Sequence, residues 1–293
     1  LSDGNIKPAD YYIEVPHDVT EVEKKAFHDL IKNANIKARS IMVVKKAVAD
    51  GLGMDIDVKN SQGVLVVDIG FHTTEISILS LGGIVLSKMI KIGGQKFDDA
   101  IRNAVRNEFN LLIGQKTAEK VKMSMKDLEK ENKNAVVYGR DIVTGLPVER
   151  EIPTSLVMKA LLEHINTIIE QVKVILEKTP PELAADIFRR GIYLTGGSSQ
   201  LSHLDELMAN GTGLKVNLAE DPICSVANGL SRVINDPNFQ SVAFLISFVP
   251  FVVSAAYDSI PYFSLSSSRR SFHSCSKSFW NLSLSFPLSS VFT

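Results

Sequence analysis

The chain has 293 residues, enough for one large domain or two modest ones, each able to bury its own core. Apolar residues make up 45% and charged residues 22%, the balance of a soluble globular protein. A formal net charge of −1 gives no global case for nucleic acid or an acidic surface as partner.

Cys224 and Cys275 are far apart and lack CxxC spacing, so neither a disulfide framework nor a zinc site is suggested. That usage fits a reducing cytoplasm. The opening LSDGNIKPAD has no signal pattern and starts on Leu1, as a fragment would. Asp10–Pro16 reads as a short strand. Thr20 and Glu23 then form a capping-box pattern ahead of an amphipathic helix, with Val22, Ala26, Leu30 and Ile31 on one face. SIMVV is a strand, and KKAVADGLG is helical or irregular. VLVVDIG is a continuous apolar run typical of an interior strand. EISILS and IVLSKMIKI complete a meander, with Gly82-Gly83 as its turn signal.

A mostly helical, charged stretch runs from Lys96 to about Asn134, followed by a small β piece, VVYGRDIVTGLPVEREIP. A long helix from Ser155 to about Lys178 stops at Pro180-Pro181. Asp186–Arg190 leads into the strand GIYLTGG. The helix QLSHLDELMAN, the strand LKVNLAE and a helix from about Ser225 to Ile234 follow. The alternation predicts an α/β fold with an insertion near 96–150. Composition breaks at about Asn238. Residues 241–257 are almost wholly apolar, but Pro250 interrupts them and they fall short of the ~20 residues a membrane helix needs. Residues 261–293 hold 12 serines and 5 phenylalanines without a sustained period. Residues 236–293 are therefore expected to be an atypical tail, the translation of a shifted frame or beyond a lost stop, a membrane anchor or a surface-packed segment.

Two elements carry candidate chemistry, VVDIGFHTTE and YLTGGSSQL. Each ends an apolar strand in glycine and small polar residues, whose backbone N–H groups can receive an anion. Asp68 at its strand end is placed to hold magnesium through water, and Thr73 and Thr74 can donate hydroxyl hydrogen bonds. Taken alone, VVDIGFHTTE also reads as a buried hairpin. His72 reads as a turn histidine facing solvent or as a ligand contact, Lys45-Lys46 as a solvated pair or as a phosphate clamp, and Cys224 as a small buried hydrophobe.

The segments VLVVDIGFHTTEISILSLGGIVLSKMIKIGGQKFDDAI, NLLIGQKTAEKVKM, GRDIVTGLP, TPPELAADIFRRGIYLTGGSSQL and AEDPICSVANG together resemble MreB, the bacterial actin family, from about Tyr11 to Ile234. The resemblance implies the actin/Hsp70/hexokinase-type (ribonuclease H-like) fold, closing on ATP and magnesium. It also implies filaments that organise cell shape in the cytoplasm. Partners would be its own copies along a protofilament, paralogous actin-like subunits and the membrane periphery.

On this resemblance, residues 1–57 are a remnant of the first actin-like domain and 58–235 the second. Residues 58–95 and 151–235 form its nucleotide side and 96–150 a small inserted subdomain. Asp68 is the magnesium-side carboxylate, and Gly70, Phe71, His72, Thr73 and Thr74 are the second phosphate loop. Glu119 and Lys122 approach the ribose and base, or pair on the surface. Gly196, Gly197, Ser198 and Ser199 form the adenine-side loop.

Three departures stand out. The family's first phosphate loop has no counterpart before Tyr11. Phe71 and His72 replace two loop glycines, which would strain the backbone if those positions need positive φ. Lys45-Lys46-Ala47 stands where the family has Glu-Glu-Pro, and an ammonium cannot accept a proton from water. Hydrolysis is therefore expected to be slow or absent. An ATP-dependent sugar kinase or Hsp70-type ATPase of the same superfold, and a decayed-gene product, are the alternative readings.

Overall fold

The computed structural model describes residues 8–34 and 38–245; the expectations for 246–293 lie outside them. Strand β1 (Ala9–Val15), helix α1 (Glu21–Asn33), strand β2 (Ala38–Lys45) and helix α2 (Lys46–Gly53) come first. β1 and β2 pair in parallel, and β11 (Phe244–Leu245) adds antiparallel to β2. The capping box forms: the Thr20 amide donates to Glu23 Oε2 at 2.8 Å, and the Glu23 amide donates to Thr20 Oγ1 at 3.3 Å. On the apolar face of α1, Val22 and Leu30 are 78% and 70% exposed among the described residues.

The central sheet has the order β10-β9-β3-β4-β5, built from β3 (Val64–Ile69), β4 (Thr74–Ser80), β5 (Gly83–Ile90), β9 (Ile192–Thr195) and β10 (Val216–Leu218). β3 to β5 are antiparallel neighbours, while β9 and β10 run parallel to β3. The turn between β4 and β5 falls on Leu81 (φ 52°) and Gly82 (φ 76°), one residue earlier than expected. A two-residue hairpin turn of this hand needs positive φ at both positions, so Leu81 takes a conformation that usually favours Gly or Asn.

Helices α3 (Gly94–Phe109) and α4 (Gln115–Lys130) split the predicted helical stretch, separated by β6 (Leu111–Leu112). With β7 (Ala135–Asp141) and β8 (Pro147–Ile152), β6 makes a second small antiparallel sheet. Helix α5 (Thr154–Glu177) buries Val157, Leu161, Ile165, Ile168, Val172 and Ile175, spaced three and four apart on one stripe. Helix α6 (Pro181–Arg190) is an addition to the sequence reading. Pro180-Pro181 does end α5, but Pro181 also opens α6, where its missing N–H costs nothing. The predicted helix after β9 begins only at α7 (Leu204–Thr212), because Gly197–Gln200 forms a 3-10 turn. Helix α8 (Ser225–Asn235) matches its expected span.

The central sheet divides two cores by its period of two. Leu65, Val67 and Ile69 of β3, with Ile76 and Ile78 of β4, join the core of α3, α4 and α5. Val64 and Val66, with Leu79, join the core of α2 and Val233 of α8. Asp68 and its cross-strand partner Glu75 therefore project to the α2 side.

Candidate nucleotide site

β3 and β9 are adjacent and parallel, and Asp68 lies in register with Thr195. Both glycine-containing turns thus leave the same end of one sheet, the carboxyl end of parallel strands where open α/β sheets bind ligands. Gly196 has φ +87° and its amide donates to Pro222 O at 3.0 Å. A Cβ there would collide with Asp68 Oδ1 and the Ile69 carbonyl, so only glycine lets the two turns approach this closely. Ser198 Oγ ties them together by donating to Gly70 O at 3.0 Å. Ser199 turns inward and donates to Gly196 O at 2.7 Å, whereas Gly197 faces open space.

The turn Gly70–Thr73 is closed by the Gly70 amide donating to Thr73 O at 2.9 Å. Neither Phe71 nor His72 has positive φ, so the strain expected of these two replacements does not arise. Instead the Gly70 and Phe71 carbonyls receive the Gly94 and Gln95 amides at 3.0 and 2.8 Å. Two N–H groups at the start of α3 are thereby used inside the protein. His72 is exposed, as expected, and its Nδ1 lies 2.8 Å from Gln95 Oε1. Phe71 is 42% exposed and stacks edge-on with His72 at 4.7 Å. Thr74 is buried, with its hydroxyl donated to Ile92 O at 2.8 Å.

Lys122 and Glu119 come from α4. The Lys122 ammonium donates to Asp98 Oδ1 at 2.7 Å and Gly94 O at 3.2 Å, so it caps the region where α3 begins. Asp98 is fully buried, and burial pushes its carboxyl up while Lys122 holds it down. Nearby Glu119 adds a smaller upward push. Cys224, expected as buried, is only partly so.

Lys46 overturns the expectation of a solvated pair. Lys45 stays near the surface, its Nζ 3.4 Å from His17 Nδ1. Lys46 forms an ion pair with Asp68, the two side chains being 19% and 7% exposed. The cause is local: β2 passes into α2 without a loop, so the first helical residue is carried under the end of β3. Asp50, one turn later on α2, shares that helical face. Asp50 is 1% exposed, and its Oδ2 has no hydrogen-bond partner among the described residues. Glu14 of β1, with Oε2 likewise unpartnered, and Glu75 of β4 complete the cluster.

Burial opposes the Lys46 charge, but Asp68, then Asp50 and Glu75, outweigh it and raise its pKa. Burial raises Glu14, and lifts Asp50 well above the carboxylate range with Asp68 adding to the push. Glu75 is raised to about 7, mainly by burial and despite Lys46. Sequence reasoning missed Glu14, Asp50 and Glu75.

Glu75 makes the folding stability depend on pH. An ordinary value of 4.5 and a folded value of about 7 mean that the folded state keeps a proton the unfolded state releases. Its contribution is fully present below pH 4.5 and lost as pH rises through 7. At about 1.4 kcal/mol per pH unit, the loss approaches ~3 kcal/mol. Denaturant unfolding from pH 4.5 to 8 is expected to show this decline in the wild type. Glu75→Gln should flatten it, whereas an unchanged slope would refute the assignment.

Magnesium held through Asp68 does not fit these residues. The carboxylate already carries an ammonium, and among the described residues no group of three His, Cys, Asp or Glu is arranged to hold a metal ion.

A family model described as MreB/Mbl protein matches residues 3–241. The cell shape-determining protein MreB of Escherichia coli K12 is 39% identical over 217 residues, 73% of this chain and 62% of that protein. The cell shape-determining protein Mbl of Bacillus subtilis 168 is 38% identical over 223 residues, 75% of this chain and 66% of that protein. The chain therefore spans less than two thirds of these relatives. A crystal structure of MreB5 of Spiroplasma citri bound to ADP superposes with a TM-score of 0.74 at 36% identity, covering 80% of this chain and 71% of that one. A MamK double helical filament shares the fold at TM-score 0.62 and 22% identity, over 80% of this chain and 70% of that one. The actin-like fold, the match across nearly all described residues and the two tied loops have one reading: the chain belongs to the MreB/Mbl family.

Proposed function

We propose that this chain is the nucleotide-binding part of a filament-forming, cell shape-determining cytoskeletal protein. The observation that carries the reading is the meeting of the Gly70 and Gly196 turns at the carboxyl ends of parallel β3 and β9, tied by Ser198. Its support is the family membership and the names of the curated relatives. The superposition on MreB5 structures bound to ADP and to AMPPNP adds to it.

In this reading the nucleotide lies along Gly70–Thr74 and Gly196–Ser199, with Glu119 and Lys122 toward the ribose. Residues 1–57 belong to the first actin-like domain and 58–235 to the second, with 96–150 as its small subdomain. Copies add head to tail, a contact that repeats without closing, and paralogous subunits or the cytoplasmic membrane surface are further partners. Lys45 and Lys46 offer no base to the attacking water, so the bound triphosphate persists.

Negative-stain electron microscopy of the purified protein with AMPPNP and with ATP, alongside phosphate release, tests this. Expected are filaments with both nucleotides and phosphate release at the level of nucleotide alone. No filaments or pelleting with any nucleotide would overturn the filament reading, and sustained release would overturn the claim on hydrolysis.

A further inference from the structure

The magnesium-side carboxylate of this fold carries a side chain of the protein itself. Lys46 is the cation of the buried group, paired with Asp68 of β3 and within electrostatic reach of Glu75 of β4, Asp50 of its own helix and Glu14 of β1. A polyphosphate entering beside the Asp68 carboxylate meets repulsion unless a cation stands between. Elsewhere that cation is a divalent metal bridging phosphate and carboxylate oxygens. Here a fixed ammonium already occupies the Asp68 end of such a bridge. An ammonium has three donors and Asp68 takes one. Lys46 is also the first residue of α2, so the helix's amide dipoles add to its positive potential. Its side chain is 19% exposed, so it is not sealed from the loops.

A metal seated directly on Asp68 Oδ2 would have to expel the ammonium and strand it, desolvated, among the remaining carboxyl groups. Among the described residues no group of three His, Cys, Asp or Glu is arranged to hold a metal by protein ligands alone. The departure from the expected motif at Lys46, acid to lysine, is thus an exchange: a diffusible divalent cation for a tethered monovalent one.

We propose that Lys46 replaces magnesium at this site, so that the protein binds adenine nucleotide polyphosphate without a divalent cation. This rests on the nucleotide reading above and specifies its metal requirement. The test is a fluorescence titration of the purified protein with a ribose-labelled ATP analogue, in excess magnesium and in EDTA. The two affinities are expected to agree within about threefold, because no metal bridge is gained or lost. Lys46→Arg keeps the charge and should keep that indifference. Lys46→Gln, combined with Asp50→Asn to relieve the uncompensated acid, should bind at least about tenfold more weakly in EDTA than in magnesium. Wild-type binding that is tenfold or more tighter with magnesium would overturn the inference alone and leave the nucleotide reading standing. No binding in either condition by protein with native circular dichroism would overturn both. The wild-type comparison needs no variant to fold.

Discussion

Gly229→Val is expected to unfold the protein at ordinary temperature, or to lower its stability by about 3 kcal/mol or more. Gly229 of α8 lies against the backbone carbonyl of Ala49, and Gly53 of α2 lies reciprocally against the carbonyl of Ser225. In each case an added Cβ would fall inside a main-chain oxygen, and no side-chain rotation relieves that. The Arg232 guanidinium fixes the same joint, donating to Leu52 O at 2.7 Å and pairing with Asp55 at 2.7 Å. Removing a mid-helix glycine gains about 1 kcal/mol in helix propensity with alanine, less with valine, so the steric term wins. Gly197→Ala is the control, because none of the described residues lies within 4 Å of its Cβ position and its φ is not positive. Guanidinium melts of both variants decide: a Gly229→Val protein as stable as Gly197→Ala would mean that α2 and α8 do not pack in this way.

Lys46→Met is the second large effect. Breaking a buried pair by removing one partner costs about 3–5 kcal/mol, because the surviving charge stays buried without compensation. Here the survivor is Asp68, with Glu75, Asp50 and Glu14 beside it. Raised carboxyl groups take up protons as pH falls, so the cost should shrink toward pH 5 and grow toward pH 8. Adding Asp50→Ala, which removes one buried acid, should return part of the stability. Thermal melts at both pH values give the answer. A loss that does not depend on pH would mean that Lys46 matters for packing, not for charge.

Much of the site was legible because its signals are local. β3 announced itself as an apolar run, and the capping box of Thr20 and Glu23 was written in adjacent residues. The two turns were found by glycine and small polar residues following strands. Their meeting needed one step more, the parallel pairing of strands about 125 residues apart, which the family resemblance supplied and the register of Asp68 with Thr195 bears out.

The cluster around Lys46 was not legible, because charge was read where it stood in sequence. Paired lysines usually mark a solvated face, and the partner that buries this one lies on another strand. A signal was available. After Lys46, the residues around Asp50 in KKAVADGLG are Ala, Val, Gly and Leu, and a helix apolar all round is a buried helix. Two opposite charges one turn apart on such a helix must find partners inside. Helix α6 was lost for a different reason: Pro180-Pro181 was read only as a stop, although proline is equally suited to begin a helix. Phe71 and His72 were judged by what glycine permits elsewhere. Their backbone is ordinary, so the substitutions change the loop's surface and not its strain.

The most direct measurement is a double-mutant cycle in folding stability between Lys46→Gln and Asp68→Asn. An ammonium seated on the Asp68 carboxylate at the junction of the two loops predicts that the pair of changes together costs about 2 kcal/mol less than the sum of the single ones. Additivity within about 0.5 kcal/mol would show that the two charges do not meet, and the built-in cation would go with them.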